Sequence, residues 1–276
     1  MKRVISFFLI CIFSVSNLFA YGGKTHELLT KLVVTKLSLE DKIGSEVAKN
    51  IVESCNFPDD DCTLGAGSFY TSHFFDPDKA FMGLDDQNGT SWWINWFYKK
   101  KNTKIPSNAL IAALYFLLRA YRLWNIDEKK DSMCELGKAV HYIEDMCCSA
   151  HQVNWKANLS DAFFLKHSSY ESLIDSYVID RDKRNCLLSE QNNFDFRNDG
   201  RFYKLKADNF KELLMYFRTI IIGYATISKN TTYGRYAGYK PYYYWDARGD
   251  DEDIRYAYQA VISTIYLFFK ALNINL

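Results

Sequence analysis

The chain has 276 residues, of which 48% are hydrophobic and 17% aromatic, with only 13 glycines and 4 prolines. This composition supplies enough apolar surface for a large core, so it excludes a disordered or collagen-like chain. The 34 basic and 33 acidic side chains nearly balance, and a formal net charge of +1 excludes attraction of the whole surface to nucleic acid or to an anionic membrane.

The N-terminal residues have the pattern of a secretory signal peptide. A short basic start precedes an apolar stretch from Val4 to Val15, and Ala20 fits a cleavage site before Tyr21. The apolar stretch is too short to span a bilayer. We therefore predict a signal peptide at residues 1–20, one soluble domain at residues 21–276, and export of the protein to the periplasm or the medium.

The cysteine content agrees with export. Six cysteines remain once the predicted signal peptide is removed: Cys55, Cys62, Cys134, Cys147, Cys148 and Cys186. An even number in an oxidising compartment predicts disulfides, although six cysteines allow 15 pairings. Cys55 and Cys62 would close the easiest local loop. The sequence has no C-x-x-C pair, which argues against a zinc–thiolate site.

Apolar residues recur with a helical period along almost the whole chain. The expected helices begin after Thr25, which we predict to be an N-cap, and they cover the stripes Leu28–Leu37 and Ile43–Ile51 and then residues 110–124, 136–147, 161–179, 205–227 and 252–272. Two segments interrupt the pattern. One is a long loop-rich segment around residues 57–104, and the other is a loop at Tyr233–Asp250 that is rich in glycine and tyrosine. The sequence thus predicts one all-α domain of several helices.

The histidines carry the strongest functional signal. There are five, at His26, His73, His141, His151 and His167. His141 is followed four residues later by Asp145, and His167 by Glu171, a spacing that puts each pair on one helix face. His141 and Asp145 lie beside an apolar stripe, so we expect them to be partly buried, where a metal ion would offset the cost of an unpaired carboxylate. Nitrogen and oxygen ligands suit zinc or a similar divalent ion, but such pairs also occur on ordinary helix surfaces.

Five short segments share the order and spacing of motifs in one known family: Tyr21–His26, Phe57–Asp59, Ser72–Asp78, Leu136–His151 and His167–Glu171. They resemble, in that order, the aromatic mature N-terminus, the metal-binding aspartate, the HF(aromatic)DPD segment, and the HxxxD-x5-H and HxxxE elements of the bacterial zinc-dependent phospholipase C family. This family belongs to a superfamily with the single-strand nucleases. The resemblance spans about residues 21–180 and includes every histidine in the family's order.

This resemblance implies an all-α fold with a cluster of three zinc ions. It assigns Asp59, His73, His141 and Asp145 to the first zinc, His151, His167 and Glu171 to the second, and His26, Asp145 and the amine and carbonyl of Tyr21 to the third. An α-amine exists at Tyr21 only after signal cleavage, so the complete site would assemble only in the exported protein. Tyr70 corresponds to the aromatic residue of the family's choline pocket, whereas Asp60 stands where choline-preferring members often have an aromatic residue.

The implied activity is phospholipase C-type hydrolysis of phospholipid head groups by a metal-activated hydroxide. Asp59 is the candidate general base, with pure metal ligation as its alternative role. Trp92, Trp93 and Trp96 either contact lipid, as a peripheral membrane contact would require, or belong to the core. No protein partner is implied. Two other functions stay open: a nuclease- or nucleotidase-like phosphoesterase acting on nucleic acid, and a non-catalytic exported protein that binds metal.

Overall fold

The apolar stretches of the sequence form helices in the computed structural model, which describes residues 23–60, 73, 75, 77, 109–148, 151–152, 174–176, 178, 180, 210–236 and 247–276. Of these residues 86% are helical and none lies in a strand, which confirms the all-α prediction. No helix among them is long and apolar enough to cross a membrane. The predicted signal peptide lies outside the described residues, and the division of the chain at residue 20 stays a prediction.

Eight helices with defined bounds account for most of the described residues: α1 (Gly23–Lys36), α2 (Leu39–Ile43), α3 (Ser45–Ser54), α4 (Phe57–Asp60), α5 (Ala109–Asn125), α6 (Lys129–Cys147), α7 (Phe210–Tyr236) and α8 (Ala247–Ala271). The helices predicted at residues 110–124 and 136–147 are confirmed as α5 and α6. Helix α4 occupies the start of the predicted loop-rich segment, and most of the rest of that segment lies outside the described residues.

Helix α1 begins earlier than the sequence suggests. The prediction that Thr25 is its N-cap is wrong, because the helix already includes Gly23 and Thr25 lies in its first turn. The side chain that satisfies this turn belongs to Asp175, whose Oδ1 accepts hydrogen bonds from the Thr25 backbone N–H at 3.1 Å and from its hydroxyl at 2.7 Å. A carboxylate at this end also stabilises the helix dipole, so a residue distant in the sequence replaces the expected local cap.

The second predicted stripe, Ile43–Ile51, is divided between two helices. Helix α2 ends at Ile43 and α3 begins at Ser45, with Gly44 between them at a φ of +88°. A side chain would strain this backbone conformation, whereas glycine adopts it readily. The glycine therefore allows the chain to turn while Ile51 stays fully buried.

Helix α6 is the central helix of the described fold. It contacts α1, α3, α4, α5, α7 and α8, and every residue from Ala139 to Cys147 is buried. It approaches α3 most closely at Gly137, where a Cβ atom would lie 2.3 Å from both the Ile51 carbonyl oxygen and the Ser54 hydroxyl. Only a residue without a side chain permits this approach. The C-terminal half of α6 is therefore buried on all sides, not along one stripe.

Helices α7 and α8 extend beyond the bounds that the sequence predicts. Helix α7 continues to Tyr236 and α8 begins at Ala247, so the loop prediction for Tyr233–Asp250 is wrong at both ends. Glycine and tyrosine content does not by itself end a helix. The two helices pack against each other and against α6. Both helices carry fully buried apolar side chains, among them Phe217, Ile221, Ala225, Val261, Ile265 and Phe268.

The four cysteines that the structure describes, Cys55, Cys134, Cys147 and Cys148, form no disulfide. The easiest local loop, between Cys55 and Cys62, is therefore not closed by a disulfide. The Cys55 thiol is buried and donates a hydrogen bond to the carbonyl oxygen of Val52 at 3.1 Å, which turns it back onto its own helix end. Cys62 and Cys186 lie outside the described residues.

Candidate metal centre

The candidate centre is built on the last turns of α6. This helix carries His141, Glu144 and Asp145, and all three side chains are fully buried. Residues three and four positions apart share a helix face, so the three ionisable groups point towards one side of the helix. The expectation of only partial burial for His141 and Asp145 is corrected, because α1, α7 and α8 also pack against this helix.

Side chains from outside α6 satisfy the carbonyl groups at its C-terminal end. The amide of Gln152 donates hydrogen bonds to the carbonyl oxygens of Met146 and, at 3.0 Å, Ala225. The Ser228 hydroxyl lies 2.6 Å from the carbonyl oxygen of Cys147. The last carbonyl groups of a helix have no partner within it, so these contacts remove a cost of burial and tie the end of α6 to α7.

Three of the side chains that the family resemblance assigns to one metal ion converge beside the fourth, His141. Its Nε2 lies 3.2 Å from His73 Nδ1, 3.3 Å from Asp145 Oδ2 and 3.4 Å from Asp59 Oδ1. His73 Nδ1 also lies 2.6 Å from Asp145 Oδ2 and 4.0 Å from Asp59 Oδ1. These residues come from α4, from α6 and from the segment at residue 73, so tertiary packing creates the cluster.

The geometry of these donor atoms fits a zinc ion. Ligand atoms about 2.0–2.2 Å from a tetrahedral zinc are about 3.3–3.6 Å from one another. The three separations around His141 Nε2, 3.2–3.4 Å, are close to this range, whereas His73 Nδ1 lies nearer to Asp145, at 2.6 Å, and farther from Asp59, at 4.0 Å. Two further buried atoms, Asp145 Oδ1 and His141 Nδ1, have no hydrogen-bond partner among the residues that the structure describes. Imidazole nitrogens and carboxylate oxygens are the ligands that zinc accepts in proteins, so the residues present suit the ion.

His26 brings α1 to the same cluster. Its ring stacks on that of His141 with the centroids 4.1 Å apart, and its Nε2 lies 3.6 Å from Asp145 Oδ1. Donor atoms of His26, His141 and Asp145 form a second group within 4.8 Å of one another. The two oxygens of Asp145 thus face different histidines, Oδ1 towards His26 and Oδ2 towards His73 and His141. This is the arrangement that a carboxylate needs to bridge two ions.

His151 lies beside the cluster, next to His73. Its Nδ1 is 2.8 Å from the backbone carbonyl oxygen of His73, and the two ring centroids are 6.3 Å apart. A carbonyl oxygen only accepts hydrogen bonds, so His151 Nδ1 carries the proton, and in a neutral ring Nε2 carries the lone pair. Burial lowers the pKa of His151 to about 4, which keeps the ring neutral at pH 7. A neutral imidazole is the form that binds a metal ion.

The carboxylates and imidazoles of the cluster shift one another's proton affinity. Burial favours the neutral form of Asp59 and Asp145, but the positive charge of nearby histidines, chiefly His141, outweighs burial and lowers the pKa of both carboxyl groups. Burial likewise favours neutral His141, but Asp145 and Asp59 outweigh it and raise the pKa of His141 well above its ordinary value. Without metal, the proton on His141 is therefore the positive charge that balances the buried carboxylates, and a cation would replace it.

The structure adds one residue to which the sequence analysis gave no role. Glu144 is fully buried, and its Oε2 forms a short hydrogen bond with Nδ1 of His26. A signal was available, because Glu144 follows Val140 by four residues and so lies on the predicted apolar stripe, where a carboxylate needs a partner. The identity of that partner, 118 residues away, was not predictable from local spacing.

Four predicted site residues lie outside the described residues. They are Tyr21, Tyr70, His167 and Glu171. The six others are described, and the structure brings Asp59, His73, His141, Asp145 and His26 together with His151 adjacent to them. Their roles as zinc ligands, and the catalytic role of Asp59, stay predictions.

Comparison with known proteins places this geometry in context. A family model described as "Zinc dependent phospholipase C" matches residues 25–231. This match includes all the described residues of the candidate centre. A search of curated proteins found no match.

Solved structures share the fold at low sequence identity. The alpha-toxin from Clostridium absonum matches with a TM-score of 0.67 and 20% identity over 90% of this chain and 64% of the toxin chain. The alpha-toxin of an avian strain of Clostridium perfringens matches with a TM-score of 0.64 and 19% identity over 92% of this chain and 65% of the toxin chain. The chain thus spans a little under two thirds of the length of these toxins, and at this identity the likeness concerns the fold.

Proposed function

Since the chain belongs to the zinc-dependent phospholipase C family, we propose that it is an exported phosphodiesterase that hydrolyses the head-group phosphodiester of phospholipids. The family comprises hydrolases that act on phosphodiester bonds. The observation that carries the proposal is the convergence of His26, Asp59, His73, His141 and Asp145 from four separate segments into one buried cluster. Such a concentration of ionisable groups is costly unless cations compensate it.

The proposed zinc ligands follow from this cluster and from the family resemblance. Asp59, His73, His141 and Asp145 would hold one ion, and His26 with the second oxygen of Asp145 would hold another. The amine and carbonyl of Tyr21 would complete the His26 site after signal cleavage. A third ion would bind His151 together with His167 and Glu171. Three ions are therefore the expected complement of the exported protein.

We take the small remaining exposure of two cluster residues to mark the side from which the substrate would enter. Asp59 is 7% exposed and His73 5% exposed, whereas His26, His141 and Asp145 are 0% exposed. The phosphodiester would approach from the side of α4, with its alcohol and lipid portions directed outwards. When bound there, zinc neutralises the phosphate charge and lowers the pKa of a bound water towards ~7.

Asp59 has the position for either of its two predicted roles. The neighbouring histidines lower the pKa of Asp59, so its carboxyl group is ionised at neutral pH, as both ligation and proton acceptance require. A carboxylate with a lowered pKa is a weaker proton acceptor, which favours the ligand role over that of general base. We therefore propose that Asp59 serves first as a zinc ligand, at the more exposed side of the cluster.

The direct test is head-group release by the purified protein, with zinc restored and after treatment with EDTA. Vesicles of phosphatidylcholine, phosphatidylethanolamine or phosphatidylglycerol and the soluble ester p-nitrophenyl phosphorylcholine are the substrates. We expect zinc-dependent release of phosphorylated head group and diacylglycerol. Asp145→Asn, prepared identically, controls for a contaminating enzyme.

Other outcomes of this test would overturn the proposal. Release of nucleotides from single-stranded DNA, without release of any head group, would establish the nuclease-like alternative. Bound zinc without hydrolysis of either class would establish a non-catalytic metal-binding protein. N-terminal sequencing of protein recovered outside the cytoplasm tests export separately, with Tyr21 as the expected first residue.

A further inference from the structure

Glu144 and Asp145 are consecutive residues that hold the ring of His26 from its two nitrogen atoms. The carboxylate of Glu144 bonds Nδ1 through Oε2, and Oδ1 of Asp145 lies 3.6 Å from Nε2. All three side chains are 0% exposed. The two carboxylates thus contact opposite edges of one buried imidazole, and they cannot have the same role if Asp145 binds metal.

The contact with Glu144 decides which nitrogen carries the proton. A carboxylate accepts hydrogen bonds, so the His26 nitrogen that faces Glu144 is the donor, and the lone pair of the neutral ring lies on Nε2. Nε2 is the nitrogen that faces Asp145. Histidines that bind metal usually donate their other N–H to a carboxylate or carbonyl, which fixes the ring and makes it a better ligand.

Apart from His26, Glu144 has only a weak described partner. Its second oxygen, Oε1, lies 3.5 Å from the Thr30 hydroxyl, a long and weak contact. By contrast, Glu135 on the same helix is paired with Lys138 at 2.9 Å and Arg119 at 3.1 Å. The described contacts of Glu144 are directed at His26 and at Thr30 beside it.

We propose that Glu144 is a positioning residue that keeps the proton of His26 on Nδ1 and so presents the Nε2 lone pair to the metal ion shared with Asp145. This inference rests on the proposed function, because it takes His26 to be a metal ligand. Glu144 would act through His26, since its described side-chain contacts are with His26 and Thr30. Without Glu144, the proton would move to Nε2, where Asp145 would accept it and the lone pair would turn away from the ion.

The first test determines which nitrogen of His26 carries the proton, and it requires neither bound metal nor enzymatic activity. Long-range ¹⁵N–¹H NMR of the metal-free, histidine-labelled protein distinguishes the two tautomers, and His26→Gln assigns the resonance. We expect the Nδ1–H form in the unaltered protein and in Glu144→Gln, whose amide oxygen still accepts the bond. We expect the Nε2–H form in Glu144→Leu. Retention of Nδ1–H in Glu144→Leu would overturn the proposal.

The second test measures the affinity of the protein for zinc, with no other ligand, by competition with a chelator. It tests the role of Glu144 even if the metal-free protein does not fold. We expect one zinc equivalent to bind about 10–100-fold more weakly in Glu144→Leu, the usual effect of losing such a partner. Glu144→Gln should lose less. Thr30→Val removes the other contact of the same carboxylate and is the matched control, with unchanged affinity. Wild-type affinity for every equivalent in Glu144→Leu would contradict the proposal.

The outcomes of these tests separate this inference from the proposed function. Weaker zinc binding in Glu144→Leu supports the positioning role even if no lipid is hydrolysed. Unchanged zinc binding in that variant refutes it even if the protein is an active phospholipase.

Discussion

The C-terminal half of α6 and the α7–α8 pair are buried to the same extent, but α6 buries ionisable side chains and the α7–α8 pair buries apolar ones. His141, Glu144 and Asp145 are 0% exposed, and so are Phe217, Val261 and Phe268. In the α7–α8 pair, removal of apolar surface from water contributes about 25 cal/mol per Å². In α6, the same burial desolvates carboxylates and imidazoles, and it costs free energy unless partners or cations compensate it.

This difference shows that the fold divides stability and chemistry between regions in direct contact. Helix α8 contacts both α6 and α7, so the apolar layer lies directly behind the polar cluster. The apolar layer can hold α6 in place, while the cluster collects buried charge that a bound metal ion would compensate. Substitutions in the two regions should therefore affect different measurements.

The largest expected effect is the loss of activity in Asp145→Asn. One oxygen of this carboxylate faces His26 and the other faces His141, so its loss should weaken the binding of two proposed ions. We expect head-group hydrolysis to fall about a thousand-fold or more, about 4 kcal/mol of transition-state stabilisation. Asp131→Asn, an exposed acid at the other end of α6, is the matched control and should retain full activity. Activity within ten-fold of that of the unaltered protein would show that hydrolysis does not require Asp145.

Phe268→Ala tests the apolar region, where we expect a change in stability and not in activity. The ring is fully buried beside Phe269, so its loss should lower the free energy of unfolding by about 3–5 kcal/mol. Urea denaturation measures this change, and Met215→Ala, at a 53% exposed position of α7, should change stability little. The activity per folded molecule should stay within two-fold of the unaltered protein. A large loss of that activity would show that the two regions are not separable.

Zinc removal should lower the stability of the protein through the polar cluster, and not through the apolar region. A ligand present at 100 times its dissociation constant stabilises the folded state by about 2.7 kcal/mol per site. We expect chelation to lower the free energy of unfolding by about that amount for each ion lost in the unaltered protein and in Phe268→Ala, and by less in total in Asp145→Asn. Equal loss in all three proteins, measured by denaturation with and without EDTA, would place the stabilising zinc outside this cluster.

Two glycine substitutions test the packing that holds α6 in place. In Gly137→Ala the new methyl group would meet the Ile51 carbonyl oxygen and the Ser54 hydroxyl at 2.3 Å, and we expect a loss of about 1–3 kcal/mol. Gly223→Ala in α7 is the matched control, because its Cβ has no other atom within 4 Å. That change should stabilise the helix by about 0.5–1 kcal/mol. Similar effects at both positions would contradict the close approach of α3 and α6.

The smallest expected effect concerns alkaline pH and the apolar region. Burial raises the pKa of Tyr258 to about 12, so the unfolded chain loses this proton first, near its ordinary pKa of about 10. Stability from this group is complete below pH 10 and declines as pH rises towards 12, by at most about 1.4 kcal/mol per pH unit. Tyr258→Phe should therefore lose stability less steeply over that interval. Val261→Ala, which removes no titratable group, should lower the curve without changing its slope.

Much of the helical framework was predictable because a helix is a local structure. The period of apolar residues located α5 within one residue at each end, Leu110–Trp124 against the observed Ala109–Asn125. The i, i+4 spacing also placed His141 and Asp145 on one face. The cap of α1 was not predictable, because Thr25 resembles a local N-cap while its partner is 150 residues away.

Sequence alone determined that the protein is helical, that its histidines recur with acidic residues at helical spacing, and which family it resembles. Only the tertiary structure decided that α6 is buried on all sides and that Glu144 bonds His26. It also decided that the two oxygens of Asp145 face different histidines. The physical reason is the separation along the chain over which each kind of contact acts. Backbone periodicity relates residues within a few turns of one helix, whereas contacts between residues 72 or 118 positions apart depend on how whole helices pack.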